Sequence, residues 1–120
     1  MSRDPTKLRV YHHAHGLVLA VFRQGDAFPR EQRFVLRHQL HRAVLSIVCN
    51  LVEGSARRSA AEYRHFVRIA LGSAREAAYL IDLSGELSLL PPADVEDCRS
   101  RCRAVVGSLQ NLTRALENLE

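Results

Sequence analysis

Four sets of residues in this 120-residue chain are of types that do chemistry, at spacings that would let them act together. Asn50 and Glu53 stand one helical turn apart, a polar pair of the kind that holds and moves protons. His12 with His15 and His38 with His41 are i,i+3 pairs, and Cys98 with Cys102 is an i,i+4 pair. Each could be half of a metal site if a second half faced it. The fourth set is arginine. Arg64, Arg68 and Arg75 share one helical stripe continuous with Arg57 and Arg58, while Arg30, Arg33, Arg37 and Arg42 come earlier in the chain. Guanidinium groups along a rod bind phosphates bidentately and read little base sequence.

Context weakens the first three chemistries. Glu53 would sit at the C-terminal end of a helix, where the backbone dipole disfavours a carboxylate. It therefore needs a local partner, such as Arg57, Arg58 or the amides that open the next helix, and a latch for the turn fits better than a catalytic acid. Cys98 and Cys102 occupy positions of an apolar seam, where cysteine packs as a small hydrophobe, and no Cys-x-x-Cys is present. No Gly-rich phosphate loop, Gly-x-Ser-x-Gly or Rossmann signature occurs. The expectation is a protein without enzymatic activity, metal or cofactor.

Charge points the other way. The net charge is +4, but it is divided unevenly. Residues 1–75 hold 13 Lys+Arg against 5 Asp+Glu, giving +8, and residues 76–120 hold 4 against 8, giving −4. Such a balance suits a polyanionic partner or the self-association of unlike surfaces. The bland alternative is an ordinary solvated surface, especially as Asp82 and Glu86 continue the arginine stripe with opposite sign.

The elements that must position these residues are helices. Leu, Ala and Arg dominate the composition, and Gly and Pro are few. Asp4-Pro5-Thr6 offers an N-cap and a first-turn proline. Val10, Ala14, Leu17, Val18 and Val21 follow at helical spacing, and Gly25 stands where a C-cap belongs, so the first helix spans about 5–24. Pro29 separates it from a second at about 31–53, whose inner face is Leu36, Leu40, Ala43, Val44, Ile47 and Leu51 and which Gly54 would end. Ser59-Ala60-Ala61-Glu62 is a capping box, and the third helix, about 59–88, buries Tyr63, Phe66, Ala70, Ala74, Ala77 and Ile81. After Pro91-Pro92 a fourth, about 93–119, carries the seam Val95, Cys98, Cys102, Val105, Leu109, Leu112, Leu116 and Leu119. The expected fold is all-α: one domain over 1–120, an antiparallel up-down-up-down four-helix bundle.

The second helix has one apolar stripe too many. Phe34, His38, His41, Leu45, Val48 and Val52 recur every three or four residues on the face opposite its inner one. A four-helix bundle covers only one face of each helix, so this stripe is expected to be an oligomer interface. No apolar run reaches the length of a membrane span, the first residues lack a signal-peptide core, and three cysteines form no disulfide framework. The expected location is cytoplasmic, with no membrane partner.

Specific motifs then carry a resemblance. Phe28-Pro29, Leu40-His41-Arg42-Ala43 with Ser46-Ile47, Asn50 with Glu53-Gly54, Arg57-Arg58-Ser59 and Ala70-Leu71-Gly72-Ser73 occur in that order. Over about 8–119 the chain resembles the four-helix-bundle family named for proteins encoded in intervening sequences of bacterial 23S ribosomal RNA genes. The resemblance implies a cytoplasmic bundle assembled as a ring-like homopentamer with no known enzymatic activity. Relatives include the basic accessory protein of diversity-generating retroelements, which implies RNA or DNA, and a reverse transcriptase, as partners. The residues expected to meet nucleic acid are Arg57, Arg58, Arg64, Arg68, Arg75, Arg37 and Arg42. The competing reading is a protein-interaction scaffold or accessory subunit.

Overall fold

The computed structural model describes residues 4–24 and 33–119 and the side chains of 4–24 and 35–119. Among them are four α-helices and no strand. Asp4 caps a short 3-10 turn, Pro5–Lys7: its Oδ1 accepts from the Thr6 amide at 3.0 Å and from the Thr6 hydroxyl at 2.6 Å. These two bonds, the hydroxyl's first, hold the Asp4 carboxyl below its usual range. Leu8 is extended, so the cap serves this turn, and helix α1 begins only at Arg9, running Arg9–Gln24. The expected Gly25 C-cap, the break at Pro29, the start of the second helix at 31 and the Phe34 side chain lie outside the described residues.

A π-helical turn, Arg33–Arg37, leads into α2, His38–Ser55. Gly54 does not end α2, as its residue type had indicated, because no described glycine has a positive φ. The helix continues one residue beyond it, and its last turn closes through Arg57 N–H to the Gly54 carbonyl at 3.0 Å. The reason for glycine is proximity. A Cβ here would lie 2.8 Å from the Phe66 Cβ and 3.0 Å from the Tyr63 ring. Glycine lets the end of α2 press on the start of α3, Ala60–Glu86.

Ser59 is extended and its hydroxyl accepts from the Glu62 amide at 3.1 Å, so the cap read from the sequence starts α3. Beyond Glu86 the chain turns through Ser88, the one described non-glycine residue with positive φ (57°). Leu89 N–H reaches back to the Ser84 carbonyl at 2.8 Å, closing the helix end with serine where glycine is usual. Helix α4, Pro92–Glu117, starts on a proline, which needs no amide partner in a first turn.

The helices pack about one core, α2 on α3 and α3 on α4 most extensively, with α1 against α2 and α4. Leu17, Val44, Ile47, Leu51, Ala70, Ala74, Ala77, Ile81, Cys98, Val105 and Leu109 are wholly buried, as the periodicity required. Two seam positions of the fourth helix differ: Leu112 is half-buried, and Leu119, beyond the end of α4, is 67% exposed. Phe66, expected inside, is half-buried at the turn between α2 and α3.

Candidate nucleic-acid interface

The turn from α2 to α3 has less freedom than its two arginines implied. Arg57 is ion-paired to Glu53 one turn earlier and lies 4.7 Å above the Phe66 ring. Glu53 thus has the local partner its position demanded, and Asn50 does not join it. The Asn50 amide donates to the Ser46 carbonyl at 2.8 Å and the Ser46 hydroxyl at 3.1 Å, while Ser46 and Ser73 bridge α2 to α3 at 2.8 Å. The polar set around Asn50 knits two helices together. Arg58 is exposed and makes no ion pair with any described residue.

Along α3 the stripe faces α4, and two of its arginines hold the far end of that helix. Arg64 donates to the Leu116 carbonyl at 3.3 Å, and Arg68 pairs with Glu117 at 2.9 Å. Cations here meet the unsatisfied carbonyls and negative dipole end of α4. The pair is exposed on both sides, and exposed pairs contribute about 0–1 kcal/mol, so Arg68 can exchange its partner for a phosphate at small cost. Arg75 is exposed with no described ion pair, and Asp82, which reverses the stripe's sign, is taken by Arg99 at 2.9 Å.

The remaining predicted arginines lie elsewhere. Arg42 is exposed on α2 without a described partner. Arg37 is half-buried at the other end of the molecule; its Nε is buried without a hydrogen bond, near Gln24 and His41. The seven predicted arginines therefore do not form one surface. Arg57, Arg58, Arg64, Arg68 and Arg75 follow the α2–α3 turn and the α3–α4 edge; Arg37 and Arg42 stand apart.

The second stripe of α2 is exposed only in part. Leu45 and Val52 are 43% and 46% exposed, Val48 is half-buried and His38 is open to solvent. His41 is different: its ring stacks on Phe22 of α1 at 3.9 Å, and its Nε2 is buried without a hydrogen bond. Burial first, then the nearby Arg37 and His38, pushes its pKa below the ordinary histidine value. The apolar surface thus crosses from α2 onto α1 through Phe22, itself 42% exposed. Phe22 was missed because α1 was read only for its inner face; aromatic spacing beside that face was the available signal.

The histidine and cysteine pairs hold other positions. His12 Nε2 lies 2.6 Å from the Thr6 carbonyl, and the His15 ring is parallel to Tyr11. Cys98 donates to the Gln24 Oε1 at 2.9 Å and Cys102 to the Ala74 carbonyl at 3.3 Å. Burial is the main reason their pKa values are pushed up to about 12 and about 11. Glu62 and His65 on α3 form a Glu-x-x-His pair that the reading for metal ligands passed over; both are exposed. Among the described residues no three His, Cys, Asp or Glu side chains converge as metal ligands, and no helix is long and apolar enough to cross a membrane.

An all-helical protein with an arginine-lined edge and an uncovered apolar stripe is the class that fold and surface define. This chain belongs to the 23S rRNA-intervening sequence protein family, whose description matches residues 6–111. Its fold is similar to the crystal structure of a protein of unknown function from the S23 ribosomal protein family of Bacteroides thetaiotaomicron VPI-5482. The TM-score is 0.80 at 21% identity, over 87% of this chain and 97% of that one. No curated protein matches the chain by sequence.

Proposed function

We propose that this protein is a non-enzymatic, cytoplasmic RNA- or DNA-binding protein, an antiparallel up-down-up-down bundle assembled with copies of itself into a ring. Helix-end pairings support the alternation: Gly54 meets Tyr63, Arg64 meets Leu116, Gln24 meets Asp97 and Phe22 meets His41. The exposed Leu45, Val52 and Phe22, with the half-buried Val48, support self-association, and the family resemblance supports five copies.

The observation that carries the binding reading is the run of exposed cations Arg58, Arg68 and Arg75 along one edge, two without a described ion pair and the third in a weak, exchangeable one. Repeated around a ring, a weak patch gains avidity that one copy lacks. Phosphate contacts release counterions, so affinity for short RNA and DNA strands and duplexes should fall steeply with salt. An Arg58→Ala, Arg68→Ala, Arg75→Ala variant should bind more weakly, its log–log salt slope shallower by about one unit for each phosphate that is no longer neutralised. Absence of binding by the native protein at about 50 mM salt, or an unchanged slope in the variant, overturns the proposal.

A further inference from the structure

Between α3 and α4, on the side away from the α1–α2 apolar stripe, runs an open groove of about 570 Å³. Its floor is apolar: Ala78 from α3, with Val106 and Gly107 from α4. Arg75 stands on one wall, Arg103 on the other, and Gln110 closes one end. At the opposite end Arg99 is committed to Asp82 at 2.9 Å. Arg75 makes no described ion pair, and Arg103 has only a 3.5 Å approach to Glu96, with its side chain 66% exposed. Two arginines, one from each helix, thus line a groove with an apolar floor, each with hydrogen-bonding capacity to spare.

We propose that this groove binds an acidic amphipathic helix of a protein partner, its apolar side chains on Val106, Ala78 and Gly107 and two of its carboxylates on Arg75 and Arg103. Size agrees. From Arg99 to Gln110 the groove follows twelve residues of α4, eleven rises of 1.5 Å, roughly 16 Å or three helical turns. Such helix-in-groove docking reads apolar anchors at i, i+3 or i+4, and i+7. Arg75 and Arg103 call for an anionic partner, and the apolar floor favours an acidic helix over a nucleic acid. A phosphate backbone running along this groove would leave that floor uncovered, and no aromatic side chain lines the groove for a base to stack on. Arginine matches carboxylates as a planar fork, so two pairs also fix orientation.

Gly107 supplies a clean test, because a Cβ there meets nothing within 4 Å. Gly107→Met should fill the groove without disturbing the core or changing charge. The probe is a fluorescein-labelled, end-blocked peptide of about four turns with leucines at i, i+3/i+4 and i+7 flanked by glutamates, measured by anisotropy against the full chain. A scrambled peptide of the same composition and a single-stranded RNA oligonucleotide are the comparisons. Expected are binding of the patterned peptide at least about tenfold tighter than the scramble, and a loss of about tenfold or more in Gly107→Met and in Arg75→Glu with Arg103→Glu. Circular dichroism of both variants should match the native chain. RNA binding should survive Gly107→Met, which separates this site from the nucleic-acid reading. The proposal is overturned by equal affinity for both peptides, by no effect of Gly107→Met on peptide binding, or by RNA displacing the peptide and losing affinity in Gly107→Met.

Discussion

Gly54→Ala isolates the contact on which the α2–α3 turn depends. Alanine is the better helix former, so inside a helix at negative φ the change should stabilise by about 0.5–1 kcal/mol if nothing opposes it. Here the new methyl would come within 2.8 Å of the Phe66 Cβ and 3.0 Å of the Tyr63 ring. The first neighbour is anchored directly to the α3 backbone, so the two helices must separate locally. Overpacking of this kind costs about 1–3 kcal/mol, leaving a net loss of about 1 kcal/mol from the middle of both ranges. For a chain of this length that is roughly 5 °C in Tm, read by circular dichroism at one fixed protein concentration. Gly72→Ala is the control: it is exposed in mid-α3 with nothing within 4 Å of its added Cβ, and should stabilise by about 0.5–1 kcal/mol. Gly54→Asn separates packing from capping. Asparagine tolerates the left-handed conformation of a C-cap, so it would be the milder change if Gly54 were a cap. Packing requires it to be worse than alanine. Gly54→Ala as stable as the native chain, or Gly54→Asn milder than Gly54→Ala, refutes the close-approach account.

Leu45→Glu with Val48→Glu should reduce the number of subunits seen by light scattering while keeping helix content, since two unpaired carboxylates would enter a buried interface; a native chain that is monomeric at micromolar concentration sinks the ring. In the folded protein Cys49, which is exposed, should react with an aromatic disulfide at about pH 8, while Cys98 and Cys102, held protonated by burial, react only on unfolding. Replacing both buried cysteines by alanine should cost about 2 kcal/mol through poorer packing, and stoichiometric zinc that disappears on Cys98→Ala would show a ligand role instead. His41 binds its proton more weakly folded than unfolded, so the unfolded chain takes up more protons below about pH 6.5. Its contribution should be complete above that pH and decline as pH falls through the folded value; urea unfolding between about pH 7 and 5 should show His41→Phe flattening this slope, and an unchanged slope would exclude His41 as its source.

The sequence alone indicated four helices, and the expected ends that fall among the described residues lie within four residues of the observed ones, because each helix buries one face and a 3.6-residue period records that face wherever the helix packs. It also placed the Ser59 cap and the outward-facing Leu45 and Val52 of α2, since a cap is made within its own turn and a stripe within its own helix. Tertiary structure decided everything that depends on which side chains meet across helices. Gly54 has the residue type of a cap but serves a contact with residues nine and twelve positions away. Arg64 and Arg68 read as free cations on their own helix, yet the return of α4 puts Leu116 and Glu117 beside them. Arg103, in the acidic half of the chain, shares a groove with Arg75 only because α3 and α4 pack side by side. Periodicity reports how a residue is turned within its helix; its partners are set by helix order, direction and offset, which no single helix encodes.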